Sequence, residues 1–181
     1  MPLPTINLSP LTAARPEEIL RPPQSWFVLL TLLVAMLINL LPWSGVWQAL
    51  RPDFLALVLL YWCIQQPRRV GVGIAWVCGL VMDVGQGALF GQHALAYALL
   101  GFAAEYFRRR VLRFPLWQQA AHVAILLVLC MLLVLLVRIA GGAAPADWSN
   151  FLGAVSGALL WPLTSFILQW PQRPPPSPGE R

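Results

Sequence analysis

The chain of 181 residues contains no lysine, only seven acidic residues and three cysteines, and each shortage removes a class of function. A P-loop needs its Lys to reach the β- and γ-phosphates, so ATP hydrolysis by that device is excluded. Cys63, Cys78 and Cys130 stand singly inside apolar runs, with no CxxC pair and no His at ligand spacing. Neither a disulfide framework nor a metal site is supported, and the three read as small apolar fillers. For catalysis the apolar runs offer the scattered Ser156, Thr164, Ser165 and Asp83, with histidines at the edges. Such a set does not assemble a nucleophile, a base and a stabilising group. The chain therefore reads as a non-enzyme that carries no cofactor.

Apolar residues are what the chain has in excess: 59% of it is hydrophobic and 10% charged, with a mean hydropathy of +0.69. Those values lie outside the range of an ordinary soluble domain. Apolar stretches cover residues 26–41, 54–66, 70–84, 92–107, 120–137 and 151–170. A helix that crosses a bilayer takes about 20 residues, so two of the stretches are comfortable and four are short. The expected fold is an all-α integral membrane protein of six transmembrane helices over residues 26–170. Flexible Pro-rich tails, residues 1–25 and 171–181, are expected on either side. The first run is longer than the apolar core of a signal peptide and follows a long tail, so it reads as a retained helix.

All twelve basic residues are Arg. With alternating spans, Arg15, Arg21, Arg68, Arg69, Arg108, Arg109, Arg110, Arg113, Arg173 and Arg181 fall on one side, and Arg51 and Arg138 on the other. The positive-inside bias then places both termini in the cytoplasm. These Arg residues sit in short connections, not on a basic face interleaved with aromatics. They fit orientation and contact with anionic membrane lipid, and no nucleic acid. Trp26, Trp43, Trp117, Trp148 and Trp170 fall at span boundaries, as an aromatic belt requires.

Residues 54–66 make only about 20 Å of helix against a hydrocarbon core of about 30 Å. Either the helix starts earlier, through Val46 to Leu50, with a kink at Pro52, or a short helix begins at Asp53 and is sheltered by its neighbours. The capped short helix is preferred, with Asp53 accepting from the free amides of the first turn. In the third stretch Gly71, Ala75, Gly79, Asp83, Gly87 and Gly91 recur at steps of four. This ridge lets a second backbone approach closely along a crossing path. An acid in such a segment is expensive to expose to lipid, so Asp83 should face protein, with Arg51, Arg138 or His93 as partner. It reads either as a local cap or tie between helices, or as part of a polar pocket opening outward. Gly153 and Gly157 form a GxxxG pair, too weak a motif to argue dimerisation, and Pro162 is expected to kink that helix. Glu105 is placed to pair with Arg108 and Arg109.

One run of residues resembles a known family. Arg51, Pro52, Asp53 and Phe54 lead into the apolar segment. Pro67 and Arg68 follow, then Gly79, Leu80, Asp83, Gly85, Gly87, Gly91, Gln92, His93 and Ala94, then Arg108 to Arg113 with Phe114, Pro115, Leu116, Trp117, Gln118 and Gln119. In that order, across three loops, they closely resemble the rod shape-determining MreD family; the Pro-rich tails are not part of the pattern. The resemblance implies a scaffold of the bacterial inner membrane in the peptidoglycan elongation machinery. Its implied partners are MreC, MreB, RodA and a penicillin-binding transpeptidase. It also implies a fold similar to the substrate-binding subunits of energy-coupling-factor transporters, which leaves a small-molecule-binding transport subunit as the alternative. Those subunits dock their coupling partner through small residues four apart on the first helix, a pair that residues 26–41 lack. The residues expected to hold the fold or a partner are Arg51, Pro52, Asp53, Gly79, Asp83, Gly87, Gly91, His93 and Arg138. The Arg108 to Arg113 loop is expected to meet lipid headgroups or a cytoplasmic partner such as MreB.

Overall fold

The computed structural model describes residues 24–142 and 151–172, so residues 1–23 and 173–181 of the two expected tails, with Arg15, Arg21, Arg173 and Arg181, and also Trp148 lie outside the described residues. The described residues form seven α-helices and no strand: α1 (Ser25–Leu40), α2 (Val46–Leu50), α3 (Phe54–Gln65), α4 (Val72–Gln86), α5 (Gln92–Val111), α6 (Leu116–Ala140) and α7 (Phe151–Gln169). A single 3-10 turn, Trp170–Gln172, follows α7. Two segments, Leu116–Ala140 and Phe151–Gln172, are long and apolar enough to cross a bilayer.

The arrangement centres on α3. Ten consecutive residues, Leu55 to Ile64, are buried, so this helix is apolar on every side and is enclosed by α1, α5, α6 and α7. A helix that is hydrophobic all round belongs in a core. Tyr61 and Trp62 are its bulk: Trp62 stands edge-on to Phe27 with centroids 6.0 Å apart, and its indole donates to Thr31 Oγ1 at 3.0 Å. Tyr61 faces Trp161 of α7 and accepts from Gln172 at 3.2 Å.

The outer surface inverts the soluble pattern. Leu159 and Phe90 are each 76% exposed and Val84 is 70% exposed, and the outward faces of α1 and α7 are largely Leu, Val and Ile. Apolar surface on that scale requires a non-aqueous surrounding. Trp26, Trp117 and Trp170 are also exposed and sit at helix ends.

Both ends of α3 are closed by side chains from elsewhere in the sequence. At its start Asp53 accepts from the Ala56 amide at 2.9 Å, and Asn39 of α1 accepts from the Phe54 amide at 3.1 Å. The short helix with an Asp53 cap is therefore the form adopted, and residues 46–50 make a separate helix, α2. At its end Arg108 donates to the carbonyl of Ile64 at 2.5 Å and to that of Gln65 at 3.4 Å. Two expectations need correction here. Arg108, Arg109 and Arg110 are the last turn of α5, not a loop, and only Arg113 lies beyond it. Glu105 makes no ion pair with Arg108 or Arg109, because the guanidinium of Arg108 is turned onto the free carbonyls of α3. A cation at a helix C-terminus meets both the unsatisfied carbonyls and the negative end of the dipole.

Arg108→Ala should therefore lower stability by about 1.5–3 kcal/mol, the range for a hydrogen bond to a charged group. Arg109→Ala and Arg110→Ala, which remove the same charge from exposed positions, should stay within about 0.5 kcal/mol. Thermal unfolding in detergent compares the three, and equal losses would remove the capping role.

Candidate functional site

The site is assembled from chain reversals at one end of the bundle. Between α4 and α5 the chain turns over five residues, and two of its glycines do what other residues resist: Gly87 closes α4 at φ 60° and Gly91 opens α5 at φ 96°. Both angles lie in the left-handed region. Gly91 has no side chain to cap the free amides of α5, and Asp83 reaches across from α4 to do so. Its carboxylate accepts from the amides of Gly91 at 2.9 Å, His93 at 2.8 Å and Ala94 at 3.3 Å. The same group pairs with His93 Nδ1 at 2.8 Å, with the Asp83 side chain fully buried. An anion at a helix N-terminus satisfies amides that would otherwise be orphaned and faces the positive end of the dipole.

Of the three partners expected for Asp83, His93 is the one found; Arg51 and Arg138 do not pair with it. The ridge of small residues packs against α5. At Gly79 a Cβ would lie 2.5 Å from the His93 carbonyl oxygen and collide with the Ala94 backbone, so the helices touch main chain to main chain. Ala75 continues the same contact against Gly101.

A second carboxylate repeats the device. Besides capping α3, Asp53 accepts from Asn39 Nδ2 at 2.7 Å and from the Tyr97 hydroxyl at 2.7 Å, tying α1, α3 and α5 together. Tyr97 lies one turn beyond His93, their ring centroids 5.8 Å apart, which brings the two clusters side by side. Arg51 donates to the Asn39 carbonyl at 3.1 Å, near the end of α1. Pro52 is buried against Gly157 of α7, where a Cβ would lie 3.4 Å from the proline ring, and Gly153 packs on the Arg51 carbonyl. The GxxxG pair is thus used within the molecule. Asn39 and Tyr97 escaped the sequence reading. The available signals were a lone amide near the end of the first apolar run, and a hydroxyl four residues after His93 on the same helical face.

These groups border a cavity of about 230 Å³. Asn39, Arg51, Asp53, His93 and Arg138 are among its polar lining residues, and Leu127, Met131 and Val134 of α6 are among its apolar ones. Arg138 belongs to the last turn of α6. Arg109, Arg110 and Arg113 are exposed around the end of α5, well separated along that helix from His93. No group of three or more His, Cys, Asp or Glu could hold a metal ion among the described residues.

Comparison with known proteins agrees with this pattern. The family model described as rod shape-determining protein MreD matches residues 21–170. A protein of Haemophilus influenzae called rod shape-determining protein MreD is 34% identical over 147 residues, covering 80% of this chain and 90% of that protein. No solved structure matches the chain.

Gly79→Ala should be among the most damaging single changes in the chain. Forcing a methyl group into backbone costs about 1–3 kcal/mol when neighbours can shift, and here the neighbours are main chain. Gly73→Ala, in the same helix with nothing within 4 Å of its Cβ, should be neutral or stabilising. Folded yield and melting temperature of the two variants test the contact.

Proposed function

The chain belongs to the rod shape-determining MreD family, and we propose that it acts as a non-catalytic scaffold in the bacterial inner membrane, binding MreC within the peptidoglycan elongation machinery. The observation that carries this reading is how the buried charges are used. Asp83 and Asp53 accept hydrogen bonds from backbone amides, Asn39, Tyr97 and His93, which leaves them committed to holding helices together. Groups spent in this way stiffen a body and leave little for acid–base chemistry. The outward faces of the helices are apolar and free for another membrane helix.

In this reading six of the helices, all but α2, cross the membrane and both termini are cytoplasmic. That orientation is supported by Arg68, Arg69, Arg109, Arg110 and Arg113 at one end of the bundle and, among the described residues, only Arg51 and Arg138 at the other. MreC docks on the lateral surface toward the outer end, where the carboxylate clusters hold the helices in register. MreB, RodA and the penicillin-binding transpeptidase belong to the same assembly. Arg109, Arg110 and Arg113 face the inner leaflet and its anionic headgroups. A transport subunit that binds a small molecule is the competing reading, and the cavity of about 230 Å³ is the observation in its favour.

Asp83→Asn turns one acceptor oxygen into a donor facing amide donors, a change of about 1.5–3 kcal/mol. Reduced abundance of the chain, or reduced recovery of MreC with tagged chain from native membranes, is expected. Unchanged abundance together with unchanged MreC recovery would refute the role given to Asp83. Copurification of an ATPase module with a tightly held metabolite in place of MreC would replace the scaffold by the transport subunit.

A further inference from the structure

Almost every buried or half-buried charge near the polar end of the bundle is spoken for, and Arg138 is the exception. It is half-buried in the last turn of α6 and has no ion-pair or hydrogen-bond partner among the described residues. Arg51, on the same cavity, makes one hydrogen bond to a carbonyl and no ion pair among the described residues. Asp53 is the acid on that lining, and its oxygens are taken up by Asn39, Tyr97 and the Ala56 amide.

Donors without partners gather beside the two guanidinium groups. Gln92 is 4% exposed, yet its side-chain amide makes no hydrogen bond among the described residues. Gln86, at the exposed rim, makes no side-chain hydrogen bond among the described residues, and His93 is held through Nδ1 alone. Gln86, Gln92 and Arg138 also border an adjoining cavity of about 320 Å³ against the α4–α5 turn. The cavity thus carries two guanidinium groups that no carboxylate pairs with, one of them without a hydrogen-bond partner among the described residues, and an anion placed between them offsets the cost of holding that charge at the edge of an apolar body.

We propose that this cavity binds a phosphate group carried on an apolar chain, with Arg51 and Arg138 clamping the phosphate and Gln92 donating to it. The guanidinium fork matches phosphate oxygens two at a time. Leu127, Met131 and Val134, which also line the cavity, are apolar and belong with Arg138 to α6, a helix long enough to cross a bilayer, so an attached hydrocarbon chain has a surface to lie on. Membrane phospholipid supplies this chemistry, and free phosphate shares its polar half.

Native mass spectrometry of the full chain, titrated with phosphatidylglycerol, with diacylglycerol, which lacks the phosphate, or with inorganic phosphate, tests the assignment. One saturable site for phosphatidylglycerol is expected, with diacylglycerol binding more weakly. Arg138→Gln should weaken the site by about tenfold or more, the size of a lost charge-assisted hydrogen bond. Arg138→Lys should fall in between, since it keeps the charge and loses the fork. Arg109→Gln, at the other end of the bundle, should leave it unchanged. Displacement of the lipid by inorganic phosphate would make the anion alone sufficient, whereas no displacement would make the apolar chain part of the ligand. Equal binding of the two lipids, equal affinity of wild type and Arg138→Gln, or no saturable site for lipid or phosphate would each overturn the proposal. The comparison of lipids uses only the unaltered chain and does not depend on any variant folding.

Discussion

A buried helix that is too short dictates much of this structure. With 12 residues, α3 is about 18 Å long, well under the thickness of a bilayer core of about 30 Å. Its terminal amides and carbonyls meet an apolar body that offers few hydrogen bonds, and every such group left bare costs several kcal/mol. Protein must therefore meet both ends. Asp53 and Asn39 do so at the start and Arg108 at the finish, and because each arrives with other attachments, the caps also fix α1 and α5 around the core.

The same solution recurs at α5, where Asp83 of α4 supplies the cap that Gly91 lacks, and at α1, whose end receives Arg51. Charge is scarce in this chain and is concentrated on helix ends. A carboxylate suits this task because it accepts several hydrogen bonds at once, each strengthened by the negative charge and the nearby helix dipole. The glycine ridge depends on it in turn. Gly79 brings α4 and α5 into backbone contact, and the Asp83 cap one turn later holds the register at which that contact works.

How much of this could be read from the sequence divides by range. The helix positions, the short third helix and the Asp53 cap follow from apolar run lengths and a carboxylate at a helix start, both local properties. The ridge at steps of four was legible for the same reason, though not the identity of its partner. Arg51, Arg138 and His93 were equally plausible partners for Asp83, because sequence spacing does not give the separation of helix ends in space. Arg108 was misjudged on the same ground. Its spacing from Glu105 suggested a local pair, but the unsatisfied carbonyls of a helix more than forty residues away compete better for a guanidinium. Asn39 and Tyr97 carry no motif, and only the tertiary arrangement makes them part of the cap.

Several small residues of the chain are spent internally, and this constrains what can bind along α1. Gly79 and Ala75 face α5, while Gly153 and Gly157 close α7 onto the corner formed by Arg51 and Pro52. What remains on the lateral surface of α1 is Leu29, Leu33, Leu37 and their neighbours, all large. Helices associate in lipid by close packing, since apolar contact with lipid is no worse than apolar contact with protein. A membrane helix docking on this surface cannot obtain close approach from small residues here. In the scaffold reading, the docking helix must bring the small residues itself, or make its contacts through shape complementarity with a ridge of Leu and Val held rigid by the capped core beneath.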